Sequence, residues 1–175
     1  MTDPSHNQAA PAKPELDEDM INFANAVFDS VRRGETPQIS ELLEQGLPAN
    51  LRNHKGDSLL MLASYHGHLE TSRVLLEHGA DPELRNDNGQ SPLEGAAFKG
   101  NLPMIRLLLE HGANIEGTSP DGKTALMFAA MFNRTEIVDY LLAQGADKQV
   151  RDARGMTARE LATAMGATDT PVQLG

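Results

Sequence analysis

The sequence predicts an all-α solenoid of stacked helix–turn–helix units, about four full repeats plus a C-terminal half repeat. A fixed step of 33 residues carries this prediction. Gly56, Gly89, Gly122 and Gly155 keep it, as do Gly46, Gly79, Gly112 and Gly145. Ser58, Ser91, Thr124 and Thr157 hold the same register, with Ala63, Ala96, Ala129 and Ala162, and with the pairs Leu42-Leu43, Leu75-Leu76, Leu108-Leu109 and Leu141-Leu142. Columns that agree at one period of this length mark a repeat architecture. Composition agrees: 39% of residues are hydrophobic but only 4% aromatic, which suits a core of small and aliphatic side chains. A two-helix unit cannot bury its apolar face alone, so the units must stack.

The unit from His54 to Asn86 shows why each element forms. Gly56 supplies a turn residue that tolerates positive φ. Ser58 is the expected N-cap of a short helix carrying Leu60, Leu62 and Ala63. Gly67 breaks that helix, and a second runs from Leu69 to His78 with Leu75 and Leu76 inward. Gly79 closes it as a C′ glycine. Elsewhere Ser91-Pro92-Leu93-Glu94 and Thr157-Ala158-Arg159-Glu160 read as capping boxes, while Thr36-Pro37 and Leu102-Pro103 start second helices. Gly95 falls inside a helix at a cost of roughly 1 kcal/mol against Ala, and is read as serving close packing.

The ends differ from the middle. The first unit lacks a turn motif; its opening helix, Asp19 to Arg33, carries Met20, Ile21, Phe23, Ala24, Val27, Phe28 and Val31 on its apolar side. The last unit shows one clear helix, Ala158 to Met165. The expected organisation is therefore a disordered tail over 1–15 and a repeat domain over 16–166, followed by a tail over 167–175. Within the domain, units fall near 20–53, 54–86, 87–119 and 120–152, with a cap at 153–166. A monomer is expected from capping at both ends.

The stretches GDSLLMLASYHG…LLEHGAD, NGQSPLEGAAFKG…LLEHGAN and DGKTALMFAAMFN…LLAQGAD are similar to the repeat of the ankyrin family, and the resemblance covers about residues 20 to 166. The departures are specific. Met61, Glu94, Met127 and Glu160 stand where the family's motif has His, so its usual Thr–His bracing is missing. Asn133 replaces a mid-unit Gly, and Asn is the next residue able to take positive φ.

Charge and composition exclude several functions. Fifteen Lys and Arg against 25 Asp and Glu give a formal net charge of −10, which opposes a nucleic-acid-binding surface. The absence of cysteine removes disulfides, thiolate metal sites and a Cys nucleophile, and suits a reducing cytoplasm. No apolar run reaches the ~20 residues of a membrane helix, and MTDPSHNQAAPAKPELDED lacks the order of a secretory signal. There is no P-loop, G-x-G-x-x-G, H-E-x-x-H or G-x-S-x-G, so the chain is expected to be no enzyme and to need no cofactor. His66-Gly67-His68 is read as no metal site, and His78 and His111 as helix-end residues that favour the C-terminal dipole.

What the resemblance implies is protein–protein interaction through the concave face of the solenoid. In the family that face is lined by the turn tips and by the last two residues of each first helix. Carried onto this chain, those pairs are Arg32-Arg33, Tyr65-His66, Phe98-Lys99, Met131-Phe132 and Ala164-Met165. Partner binding is therefore assigned to Arg32, Arg33, Tyr65, His66, Phe98, Lys99, Met131, Phe132 and Met165, because interface cores favour aromatics, Met and Arg. Met61 and Met127 are expected in the core, Met131 and Met165 in the groove. The turn tips His54, Lys55, Asp57, Asn88, Gln90, Asp121, Lys123, Arg154 and Met156 supply a polar rim. Small bacterial members of the family offer two alternatives: an inhibitor or immunity-type protein that blocks an enzyme or toxin, and an accessory protein in stress defence.

Overall fold

The computed structural model describes residues 17–175; the tail expected over 1–15 lies outside the described residues. Helices pair along the chain: α1 (Glu18–Arg33) with α2 (Thr36–Glu44), α3 (Leu59–Tyr65) with α4 (Leu69–Glu77), and α5 (Pro92–Lys99) with α6 (Leu102–Glu110). Then α7 (Ala125–Met131) pairs with α8 (Thr135–Ala143), and α9 (Ala158–Ala164) with α10 (Thr170–Gln173). First helices stack in one layer, α1 on α3, α3 on α5, α5 on α7 and α7 on α9. Second helices form the other layer, with α2 against α4 and α4 against α6. No described helix is long and apolar enough to cross a membrane.

The recurring residues act where their spacing places them. Ser58, Ser91, Thr124 and Thr157 each accept the N–H three residues on, at 3.0 to 3.3 Å. Both capping boxes close, Ser91 with Glu94 and Thr157 with Glu160. Ala63, Ala97, Ala129, Ala130 and Ala162 are fully buried, so adjacent first helices approach over methyl groups. His78 and His111 donate from Nδ1 to the carbonyls of Val74 and Leu107 at 2.8 and 2.9 Å, holding the ends of α4 and α6.

A further column sets the turns. The side-chain oxygen of Asn53 accepts the N–H groups of Lys55 and Asp57, both at 2.9 Å. Asn86 does the same for Asn88 and Gln90, and Asp152 for Arg154 and Met156. Ser119 accepts the Lys123 N–H at 3.0 Å. Neighbouring turns are tied by the Asp87 N–H to the Lys55 carbonyl at 3.0 Å and the Ala153 N–H to the Asp121 carbonyl at 2.9 Å.

The structure replaces the missing Thr–His bracing in alternate units. Glu94 is buried; its carboxylate accepts from Arg85 at 2.9 Å and from the Ser91 N–H at 3.2 Å. Glu160 meets Arg151 in the same way, at 3.4 Å and in a more exposed setting. In the units between, Met61 and Met127 fill the position as buried apolar side chains. Ion pair and thioether are thus interchangeable solutions at one site.

The two ends of the stack show features that the repeat columns do not give. Within the tail over 167–175, Thr170–Gln173 form α10, and Thr170 and Leu174 are buried. Asn133, at φ 56°, is the reason. Its side-chain oxygen accepts the N–H groups of Asp169 and Thr170 at 2.9 and 3.1 Å, while its amide donates to Asp169 at 2.9 Å. Thr170 Oγ1 donates to the Ala130 carbonyl at 2.7 Å. In α1 only Val27, Phe28 and Val31 of the apolar side are buried, and Met20, Ile21 and Phe23 stand exposed. With 16 residues against the seven of α3, α1 outruns the helix it packs on.

Two stability predictions follow from these contacts. Asn133→Gly keeps the backbone conformation but removes the cap, a loss of about 0.5–2 kcal/mol. Hydrogen exchange should therefore quicken over 169–175 and stay unchanged in α1 to α6. Arg85→Met should cost about 1–3 kcal/mol by orphaning the buried Glu94 carboxylate. Adding Glu94→Met, the residue used at 61 and 127, should recover most of that loss in urea unfolding.

Candidate functional site

The first helices end on the same face as the turn tips, and between them runs a groove with two chambers. One, of about 370 Å³, lies between Arg32 of α1, Tyr65 and His66 at the end of α3, and the turn residues His54, Lys55 and Asp57. The other, of about 590 Å³, lies between Met61 and Tyr65 on one side and Phe98, Pro120 and Phe128 on the other, with Gly95 among its lining residues. Met61, Tyr65, Asn88 and Gln90 border both, so the chambers adjoin along a shared wall.

The predicted residues divide into those the groove exposes and those already occupied. Tyr65, Phe98 and Met165 are about half exposed, at 46%, 47% and 53%; Tyr65 and Phe98 line the groove, whereas Met165 lines neither chamber. Lys99 reaches back one unit to place Nζ 4.3 Å from the centre of the Tyr65 ring, a cation–π contact between neighbours. Phe98 meets Phe132 edge to face, with centroids 5.0 Å apart. An aromatic ladder thus crosses units two to four. Phe132 is half-buried, and Met131, expected to face the groove, packs partly against the core. Arg33 lines neither chamber; it is held by Glu35 through bonds of 2.8 and 3.2 Å. Arg32 lines the smaller chamber while paired with Asp29 at 2.8 Å.

Charge in the groove is mixed: Arg32 and Lys55 line it together with Asp57, Glu94 and Asp121. Among the described residues, His54, Lys55, His66 and Lys99 have no carboxylate within 4.0 Å, whereas Arg32 keeps its exposed Asp29. Partial burial pushes the His66 imidazole below its ordinary value, and the neighbouring His68, Arg32 and Lys99 add to the fall. His68 itself is engaged, its Nε2 lying 2.7 Å from the Arg32 carbonyl at the end of α1. The groove's carboxylates are spoken for. Asp57 accepts from Asn53 and Asn86, and Lys123 and Ser119 hold Asp121 below the usual carboxylate range. Among the described residues, no three His, Asp or Glu side chains gather as metal ligands would.

Sequence reasoning missed Gly95, Pro120 and Phe128 as lining residues, and placed Met61 in the core only. The repeat itself held the signal. Positions 62, 95, 128 and 161 are one column at the 33-residue step, occupied by Leu, Gly, Phe and Leu. Nor does Gly95 serve close packing, as expected: a Cβ added there would meet only the Tyr65 ring, at 3.8 Å.

A family model for ankyrin repeats in three copies matches residues 25–119, 79–152 and 114–170. A Pseudomonas aeruginosa protein named for its ankyrin repeats is 58% identical over 62 residues, 35% of this chain. That aligned stretch spans only 36% of the relative's own length. The repeats, the helix pairs and the family match agree: the chain belongs to the ankyrin-repeat family, whose members generally mediate protein–protein interaction.

Proposed function

We propose that this protein is a non-catalytic binding module that holds a partner protein in the groove formed by its first helices and turn tips. The observation that carries the reading is the ladder of Tyr65, Lys99, Phe98 and the half-buried Phe132, with Lys55 nearby and, among the described residues, no carboxylate within 4.0 Å of either lysine. Large aromatic side chains left half in water lose stabilisation that a partner restores. The partner presents an apolar anchor to the ladder and carboxylates to Arg32, His54, Lys55 and His66. The module acts as a cytoplasmic monomer, and its site is the groove rather than the rest of an acidic surface.

Phe98→Ser combined with Lys99→Glu should weaken a captured partner by about 30-fold or more, the scale of a hot-spot loss of 2 kcal/mol. Circular dichroism should be unchanged, since both side chains are exposed. Undiminished affinity in that variant removes the groove as the binding site.

The His66 shift gives the pH dependence a definite sign. In the free protein its proton is disfavoured by burial and by Arg32, His68 and Lys99, with Tyr65 edge-on and uncharged. A carboxylate seated there raises the imidazole pKa, so binding takes up a proton. Affinity should therefore increase as pH falls from 8 toward 6. His66→Gln should flatten the titration calorimetry profile over that range; an unchanged slope would mean that no carboxylate sits beside His66.

A further inference from the structure

Gly95 is a residue that neither the backbone nor the packing of the free protein requires. It lies in the middle of α5, where glycine is disfavoured, and its φ is not positive. A Cβ would find ordinary contact with Tyr65 and nothing closer. In the equivalent place the other units carry Leu62, Phe128 and Leu161, of which Leu62 and Leu161 are buried. One large apolar side chain is thus missing from an otherwise filled column, and the 590 Å³ chamber stands where it would be.

We propose that this chamber is a subsite for an aromatic side chain of an extended partner segment, with an acidic residue of the same segment beside Lys55 in the adjoining chamber. The proposal rests on the groove-binding reading above and gives the partner's chemistry. Tyr65, Phe98 and Phe128 surround the vacancy with rings, and Pro120 adds a flat apolar wall. Rings favour edge-to-face and offset packing with another ring, as Phe98 and Phe132 already do. The chamber's two carboxylates do not disfavour an apolar guest, because Glu94 is neutralised by Arg85 and Asp121 by Lys123. Next door, Arg32, Lys55, His54 and His66 line the smaller chamber, whose one carboxylate, Asp57, is held by the Asn53 and Asn86 amides. The charge there selects an acidic neighbour.

The test uses the whole chain and the blocked peptide acetyl-Gly-Phe-Gly-Asp-Asp-Gly-amide, titrated by amide-resolved NMR, with Phe→Ala and Asp→Asn forms as controls. Saturable shifts at Gly95, Tyr65 and Phe128 are expected, weakened about 5-fold or more by either peptide change. Gly95→Ala should raise Tm by about 2–4 °C, because it removes a helix penalty without a clash, and weaken the peptide about 10-fold. Gly95→Leu, which copies Leu62 and Leu161, should abolish the shifts. A fall in Tm for Gly95→Ala shows that the fold needs the glycine and overturns the subsite. Equal shifts at Tyr65, Phe98 and Lys99 in wild type and Gly95→Ala overturn it too, while groove binding stands. No shift at any of these residues at millimolar peptide removes both. Concentration-dependent self-association that Gly95→Leu abolishes would assign the chamber to a second copy of the chain and likewise overturn the proposal.

Discussion

Each unit of this chain has one face that only its neighbour can cover, and the rest of the structure depends on that burial. The short first helices have seven or eight residues from α3 onward, too few to hold themselves in water. They persist because Leu59, Leu60, Leu93, Leu126 and Leu161 are withdrawn from solvent between layers, each contributing about 1.5–3 kcal/mol. The alanine column lets the layers come close enough for this. A cap or a turn bond contributes about 1 kcal/mol, so these contacts refine a register that apolar burial makes worth keeping.

Burial binds some positions tightly and leaves others free, and the free ones carry the individuality of the chain. At the site where the family's motif has His, Met and Glu alternate. Glu94 is tolerated inside because Arg85 and a backbone N–H satisfy it, whereas Met61 and Met127 need no partner. One position further along, Gly95 lies against the groove rather than between helix layers. Nothing in the stack replaces the side chain it lacks, and the stack does not suffer for it. A solenoid can therefore open a chamber in one unit without disturbing the next, since each unit touches only its neighbours.

The repeats were legible in the sequence because their constraints are local and recur: caps, turn glycines, paired leucines. Of the helix-end pairs, Tyr65, Phe98 and Lys99 are exposed, and their part in binding belongs to the proposal above. Three features were not legible. The exposed half of α1 carries a helical apolar stripe like any buried one; only the length of α3 shows that it has no cover. Residues 167–175 look polar and short, and their order depends on Asn133, some 36 residues earlier in sequence. Arg33 shares its column with groove residues, yet Glu35, two residues on, holds it elsewhere. In each case the decisive contact joins residues that no repeat period relates.

The electrostatics of the groove point in the same direction as its packing. A chain with net charge −10 has carboxylates enough to pair every cation, and at physiological ionic strength charges interact over about 8 Å. Yet burial first, and then His68, Arg32 and Lys99 nearby, hold the His66 imidazole below its ordinary pKa. An imidazole whose proton burial disfavours and rings half in water both raise the free energy of the unbound protein without aiding its fold. Natural sequences keep such local conflicts where function uses them. Here the two coincide, since Lys99 lies on the Tyr65 ring and His66 stands beside it. A ligand that relieves only one of them leaves the other in place. An aromatic group with a carboxylate a few ångströms beyond it relieves both at once.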